Sequence, residues 1–235
     1  MIEVRDLHTY RGINYVLQGV SLRISDGSCT VLLGRNGMGK TTLVHTIMGM
    51  LRPATGAIML DDEELTGKQP FQIAQRGLAL VPQGRRIFPS LTVEENLTLG
   101  FLQVPHRSAG DNRAALRRIY DRFPRLAERR RQDGTTLSGG EQQMLAMARV
   151  MVGEPKLLLV DEPSEGLAPM IVVDLYAIIA EMKRAGCAIL LVEQNVGQAL
   201  DVCDRFIVIE RGSIVLSGDA RAPSDRDKLF LTIAV

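Results

Sequence analysis

Apolar and polar residues alternate over Ile2 to Leu7 and over Val20 to Ile24, the two-residue period of strands with one buried face. Further along, the apolar runs become short and continuous, at Cys29 to Leu33, Ala57 to Leu60, Ala79 to Val81, Leu157 to Val160 and Ala188 to Val192. Runs of that length, bounded by glycine, proline or charge, read as strands covered on both faces. Between them lie stretches of helical character, one following Thr42 through about Met50 and one from about Met170 to Ala185, with Pro53-Ala54-Thr55-Gly56 as a turn. From about Phe88 to Met151 apolar positions recur at helical spacing with few β-branched runs, which predicts a helical insertion. Arg205 to Ile209 and Ser213 to Leu216 flank Glu210-Arg211-Gly212, a hairpin signal. The expected fold is α/β, with a mostly parallel sheet, antiparallel strands near the N-terminus and a helical subdomain. The expected division is a core of residues 1–87 and 152–235 around an insertion of residues 88–151. The chain shows no internal repeat and no low-complexity segment.

Composition narrows the class. With 235 residues, 46% hydrophobic and 23% charged, the chain has ordinary globular proportions. Lys plus Arg number 28 against 27 Asp plus Glu, which gives no global pull toward nucleic acid. No apolar run approaches the roughly 18 residues of a membrane helix, and Met1-Ile2-Glu3-Val4-Arg5-Asp6 lacks the character of a signal peptide. A soluble cytoplasmic protein is expected, with Cys29, Cys187 and Cys203 as buried free thiols.

Three clusters carry chemistry. Gly34-Arg35-Asn36-Gly37-Met38-Gly39-Lys40-Thr41-Thr42 stands between an apolar strand and a helix and matches the phosphate-binding loop pattern. There Gly34, Asn36, Gly37 and Gly39 would let backbone N–H groups cradle phosphates, Lys40 would add a cation, and Thr41, next to Thr42, could ligate Mg²⁺. Leu157-Leu158-Leu159-Val160-Asp161-Glu162-Pro163 puts two carboxylates at the end of a buried strand, where open α/β sheets bind ligands. Asp161 could hold Mg²⁺ and Glu162 could polarise an attacking water. Leu137-Ser138-Gly139-Gly140-Glu141-Gln142-Gln143 opens a helix with Ser138 as N-cap and glycines that leave N–H groups free for an anion.

The order and spacing of these clusters resemble those of the ATP-binding cassette (ABC) ATPases over nearly the whole chain. The resemblance implies that ATP and Mg²⁺ are bound and ATP hydrolysed. It implies further that Gln83, after Val81-Pro82, senses Mg²⁺ and the attacking water, and that Ser164-Glu165-Gly166-Leu167 occupies the D-loop. Two cassettes would pair head to tail, so that Ser138, Gly139 and Gly140 of one close over ATP held by Lys40 of the other. A narrower likeness runs through Val81-Pro82-Gln83-Gly84-Arg85-Arg86-Ile87-Phe88-Pro89, Leu91-Thr92-Val93-Glu94-Glu95-Asn96-Leu97, Phe123-Pro124-Arg125-Leu126, Gly166-Leu167-Ala168-Pro169 and Val192-Glu193-Gln194-Asn195. These are similar to the shorter ATPase of branched-chain amino-acid importers, with relatives serving urea and short-chain amides. The implied partners are a second cassette, two transmembrane permease subunits and, indirectly, a solute-binding protein, with the chain peripheral on the cytoplasmic side of the membrane. No nucleic acid is expected.

Two positions depart from the general family pattern. Where an aromatic usually stacks on adenine just before a glycine, Arg11 precedes Gly12; Tyr10 is the expected adenine contact, with the Arg11 guanidinium as the alternative. The switch position, most often histidine, is Gln194, as in the amino-acid subgroup. From Arg107 to Arg131 bases outnumber Asp111, Asp121 and Glu128. That stretch could dock the transporter's helices, attract anionic lipid, or form a solvated face balanced by the partner cassette. A soluble cassette acting on nucleic acid or the ribosome is the alternative class; such chains usually carry two cassettes or a long coiled-coil insertion.

Overall fold

The computed structural model describes residues 1–84 and 86–233; Arg85, within the Val81 to Pro89 stretch, and the final two residues lie outside the described residues. The chain opens with β1 (Ile2–Arg11) and β2 (Asn14–Ile24), paired antiparallel. Both strands run further than their alternation suggests, because the ladder slips near Asp6, which sits at φ +45°. Ile2 and Val4 are buried before the slip, Leu7 and Thr9 after it, so the buried parity reverses mid-strand.

Next come β3 (Cys29–Leu33), the glycine-rich loop and α1 (Lys40–Ile47), which stops short of Met50 as the chain turns at Gly49, φ +70°. β4 (Thr55–Leu60) returns against β1 and pairs with the short β5 (Glu63–Glu64), followed by α2 (Pro70–Ala74) and β6 (Leu78–Val81). Between β6 and the next strand, the described residues form helices, turns and one isolated bridge, Thr92 with Asp133. The main helices there are α3 (Val93–Leu99), α4 (Ala109–Arg122), α5 (Pro124–Glu128) and α6 (Gly139–Met151). Their starts are set locally, by Thr92 with Glu95 and by Ser138 with Glu141 as reciprocal caps, and by Ser108 as a single cap. The chain ends with β7 (Leu157–Asp161), α7 (Pro169–Arg184), β8 (Ala188–Glu193), α8 (Val196–Val202), β9 (Arg205–Glu210), β10 (Ser213–Asp219) and α9 (Pro223–Ile233).

Two sheets result: an antiparallel one ordered β2-β1-β4-β5, and a six-stranded one ordered β10-β9-β3-β8-β7-β6 that is parallel except for the β9–β10 hairpin. The central strands divide their side chains between two cores with a period of two. Val31, Leu158, Val160, Ile189, Leu191 and Phe206 face one core, shared with α3, α4, α6 and α7. Leu32, Leu157, Leu159, Leu190 and Ile207 face the other, shared with α1 and the antiparallel sheet. Covering both faces explains why these strands read as unbroken apolar runs. Cys29, Cys187 and Cys203 are free and buried, as the sequence suggests.

Candidate nucleotide site

The carboxyl ends of β3, β7 and β8 lie side by side: Leu33 is in register with Glu193, and Asp161 with Val192. The glycine loop after β3 therefore sits beside the carboxylates after β7. Gly39 precedes α1 at φ +108°, a backbone position closed to most L-residues, and its N-cap role uses no side chain. The first N–H groups of α1 stay available to an anion. A cavity of about 340 Å³ opens here, walled by Asn36, Gly37, Gly39, Lys40, Thr41 and Thr42 of the loop, by Gln83 and Glu162, and by Arg11 and Val16 of the antiparallel sheet.

Glu162 is the hub of this site. Its Oε1 lies 3.2 Å from Lys40 Nζ, and both side chains are buried, at 8% and 4% exposure. Its Oε2 accepts from Gln194 Nε2 at 2.7 Å and from Gln83 Nε2 at 3.2 Å. Gln83 also donates to Glu165 at 2.8 Å. Lys40 curls back to donate to the carbonyls of Gly34, at 2.6 Å, and Arg35, at 3.2 Å. Glu162 is held at φ +48°, a strained setting for a non-glycine residue, and its N–H donates to Val192 O at 2.9 Å.

Asp161 lies behind it at 1% exposure. Burial pushes its carboxyl above the usual range, and a hydrogen bond from Thr41 partly opposes this. Its Oδ1 has no hydrogen-bond partner among the described residues. A buried orphan carboxylate oxygen beside the Thr41 hydroxyl, with the Gln83 amide on the cavity that Thr41 lines, offers oxygen donors suited to a hard divalent cation, so these residues fit Mg²⁺. On α1, burial holds the His45 imidazole below its ordinary pKa and favours the neutral ring, although Asp161 pulls the other way.

Of the two expected adenine contacts, Arg11 is the one that lines the cavity. The Tyr10 ring stacks on its cross-strand partner Tyr15, with centroids 4.8 Å apart, and is absent from the cavity wall. Its strand neighbour Arg11, pointing the other way, lines the cavity with Val16. Ser138 is exposed and spends its hydroxyl on the Glu141 N–H, and none of Ser138, Gly139 and Gly140 lines this cavity. In the arginine-rich stretch, this chain's own acids balance much of the charge. Arg107 and Arg118 meet Glu154, Arg122 meets Glu181, Arg129 meets Glu141, and Arg130 approaches Glu94. All four acids lie outside the stretch in sequence. Among the residues around the site, Val16 carries no local signal in the sequence, whereas Glu165 lies in the D-loop stretch and Glu193 in the Val192 to Asn195 stretch, each with a signal. Glu193 is also a carboxylate closing an otherwise apolar buried strand.

A model of the ABC transporter family matches residues 17–165. The chain belongs to that family. This ABC ATPase is 43% identical over 216 residues to BraG of Pseudomonas aeruginosa, a high-affinity branched-chain amino acid transport ATP-binding protein, covering 92% of this chain and 91% of the relative. It is 35% identical over 215 residues to LivF of Archaeoglobus fulgidus, a probable branched-chain amino acid transport ATP-binding protein (91% and 90% covered). It is also 34% identical over 204 residues to LptB of Haemophilus influenzae, a lipopolysaccharide export ATP-binding protein (86% and 84% covered). Among solved structures, an ATP-binding subunit of an ABC transporter superposes with a TM-score of 0.87 at 27% identity, covering both chains fully. The ABC ATPase hydrolyses ATP as a transporter subunit, and none of its described helices is long and apolar enough to cross a membrane.

Proposed function

We propose that this ABC ATPase powers an importer of branched-chain or related amino acids from the cytoplasmic face of the membrane. The cargo assignment is supported by the 43% identity to BraG along almost the full length of both chains. The chemistry rests on one observation, the convergence of Lys40, Gln83 and Gln194 on the Glu162 carboxylate.

In this reading the γ-phosphate draws Lys40 away from Glu162, and the loop N–H groups of Gly34 to Thr42 take the remaining phosphate charge. Glu162, released from the cation, accepts a proton from the attacking water, while Gln83 and Gln194 orient that water and the γ-phosphate. Gln194 is an amide, so it donates a hydrogen bond without moving a proton. Asp161, Thr41 and Gln83 would hold Mg²⁺, which supplies charge neutralisation on the phosphates. Arg11 and Val16 would flank the nucleotide base. Ser138, Gly139 and Gly140 would act across the interface on ATP held by a second cassette, of the same or a paralogous chain. Residues 88–151 would form the subdomain facing two permease subunits, with residues 1–87 and 152–235 as the nucleotide-binding core and a solute-binding protein delivering cargo outside.

A second reading, energising lipopolysaccharide export, is favoured by the identity to LptB alone. Uptake separates the two. Cells lacking this chain should lose ATP-dependent accumulation of labelled leucine, isoleucine and valine, and the parent gene should restore it where Glu162→Gln does not. Unchanged uptake of all three in the deletion strain would refute the cargo assignment.

A further inference from the structure

We infer that Glu193 is a positioning residue that ties the loop after β7 to the loop after β8 and thereby sets the Gln194 amide against the Glu162 carboxylate. The inference rests on the roles proposed above for Glu162 and Gln194. Glu193 ends β8, whose five preceding residues, Ala188 to Val192, are apolar and buried, and it is itself only 2% exposed. A carboxylate in such a place is costly unless its oxygens are bonded. Each oxygen of Glu193 serves a different loop: Oε1 accepts from the Ser164 N–H at 3.3 Å, and Oε2 from the Gln194 N–H at 3.2 Å.

Those two bonds close a ring. Gln194 Nε2 donates to Glu162 Oε2 at 2.7 Å, and Glu162 leads through Pro163 to Ser164, which returns to Glu193. The Glu162 N–H to Val192 carbonyl bond, 2.9 Å, braces the ring from the strand side. The buried Tyr176 hydroxyl of α7 stands beside Glu193 and Ser164, so this helix packs against the ring. The separation of Glu162 and Gln194 thus depends on a side chain that lines no part of the nucleotide cavity. An apolar residue of similar size would fill the space and leave both N–H groups without an acceptor.

A double-mutant cycle tests this, with kcat, KM for ATP, nucleotide Kd and Tm measured on each purified chain. Glu193→Gln keeps one acceptor oxygen and should lower kcat about tenfold, the order of one lost hydrogen bond, with KM and Kd within about twofold of the parent. Glu193→Leu should lower kcat further; if it fails to fold, Glu193→Gln carries the test. In a Gln194→Ala background, Glu193→Gln should change kcat by less than about twofold, because the group it positions has gone. An equal loss in both backgrounds, with Gln194→Ala itself slow, would overturn the positioning role alone. A parental rate for Gln194→Ala would overturn the reading of Gln194, and the inference with it. Parental kcat in Glu193→Gln would overturn only the inference.

Discussion

Replacing Glu162 by glutamine perturbs two events that the site ties together, nucleotide capture and hydrolysis. Lys40 lies 3.2 Å from the Glu162 carboxylate, with both side chains nine-tenths buried. At an effective dielectric near 20, a pair at that distance attracts by at most about 5 kcal/mol, and desolvation of both ions cancels much of it. A charge-assisted hydrogen bond in protein nets about 1.5–3 kcal/mol. Lys40 keeps its bonds to the Gly34 and Arg35 carbonyls, so about 1–2 kcal/mol of tether should be lost in Glu162→Gln. ADP should then bind roughly 5- to 30-fold more tightly. Hydrolysis should slow by ~10²–10⁴, the worth of a positioned base. Calorimetry with ADP isolates the first effect, since no turnover intervenes, and single-turnover hydrolysis of ATP reads the second. Equal ADP affinity in the variant and the parent would refute the tether. Near-parental hydrolysis would remove Glu162 from the base role.

Other expectations follow from the same geometry. Gln194→Ala should slow hydrolysis far more than it weakens ATP binding, and Gln194→His should introduce a pH dependence of turnover near neutrality, where histidine has its ordinary pKa of about 6.5; a flat profile for the histidine variant would count against contact with the reacting phosphate. Burial raises the Asp161 pKa above its unfolded value, so the folded chain binds that proton more tightly and the ionised form destabilises it at neutral pH. Nucleotide-free Asp161→Asn should therefore show a higher Tm than the parent at neutral pH, with the advantage shrinking as pH falls through the folded pKa, and should lose Mg²⁺-dependent hydrolysis; a lower Tm would contradict the desolvation argument. Binding to nucleic acid should be weak and collapse with added salt, because the bases of 107–131 are largely paired to acids of this chain; a nanomolar complex at physiological salt would favour a soluble cassette instead.

How far the sequence spoke depended on whether a signal was local. The buried strands, the phosphate loop and the Asp161-Glu162 pair are each contained in fewer than ten consecutive residues, and each appears where the pattern put it. The N-terminal strands came out short because a slip near Asp6 exchanges the buried parity, which breaks the alternation on which a strand is read. Arg107 to Arg131 looked like a basic surface because its counter-charges, Glu94, Glu141, Glu154 and Glu181, come from elsewhere in the chain. Tyr10 was favoured over Arg11 on residue type, yet strand parity decides which of two neighbours faces the cavity, and it favours Arg11. Glu193 was visible as a charge at the end of an apolar run, but its purpose depends on Ser164 and Gln194 meeting in space.

The central claim, that ATP is hydrolysed at a site built from the Lys40 loop of one cassette and the Ser138 segment of another, is tested most directly by mixing two inactive chains. Lys40→Ala removes the phosphate-binding cation, and Ser138→Arg blocks the surface proposed to close over the partner's ATP. In a mixed pair both lesions fall in one composite site, leaving the other intact. Random pairing at equal concentrations should restore roughly a quarter of the parental ATPase activity, since half of the pairs carry one intact site of two. Mass-resolved mixed dimers that hydrolyse no ATP would contradict the shared site, and would require each cassette to complete its own.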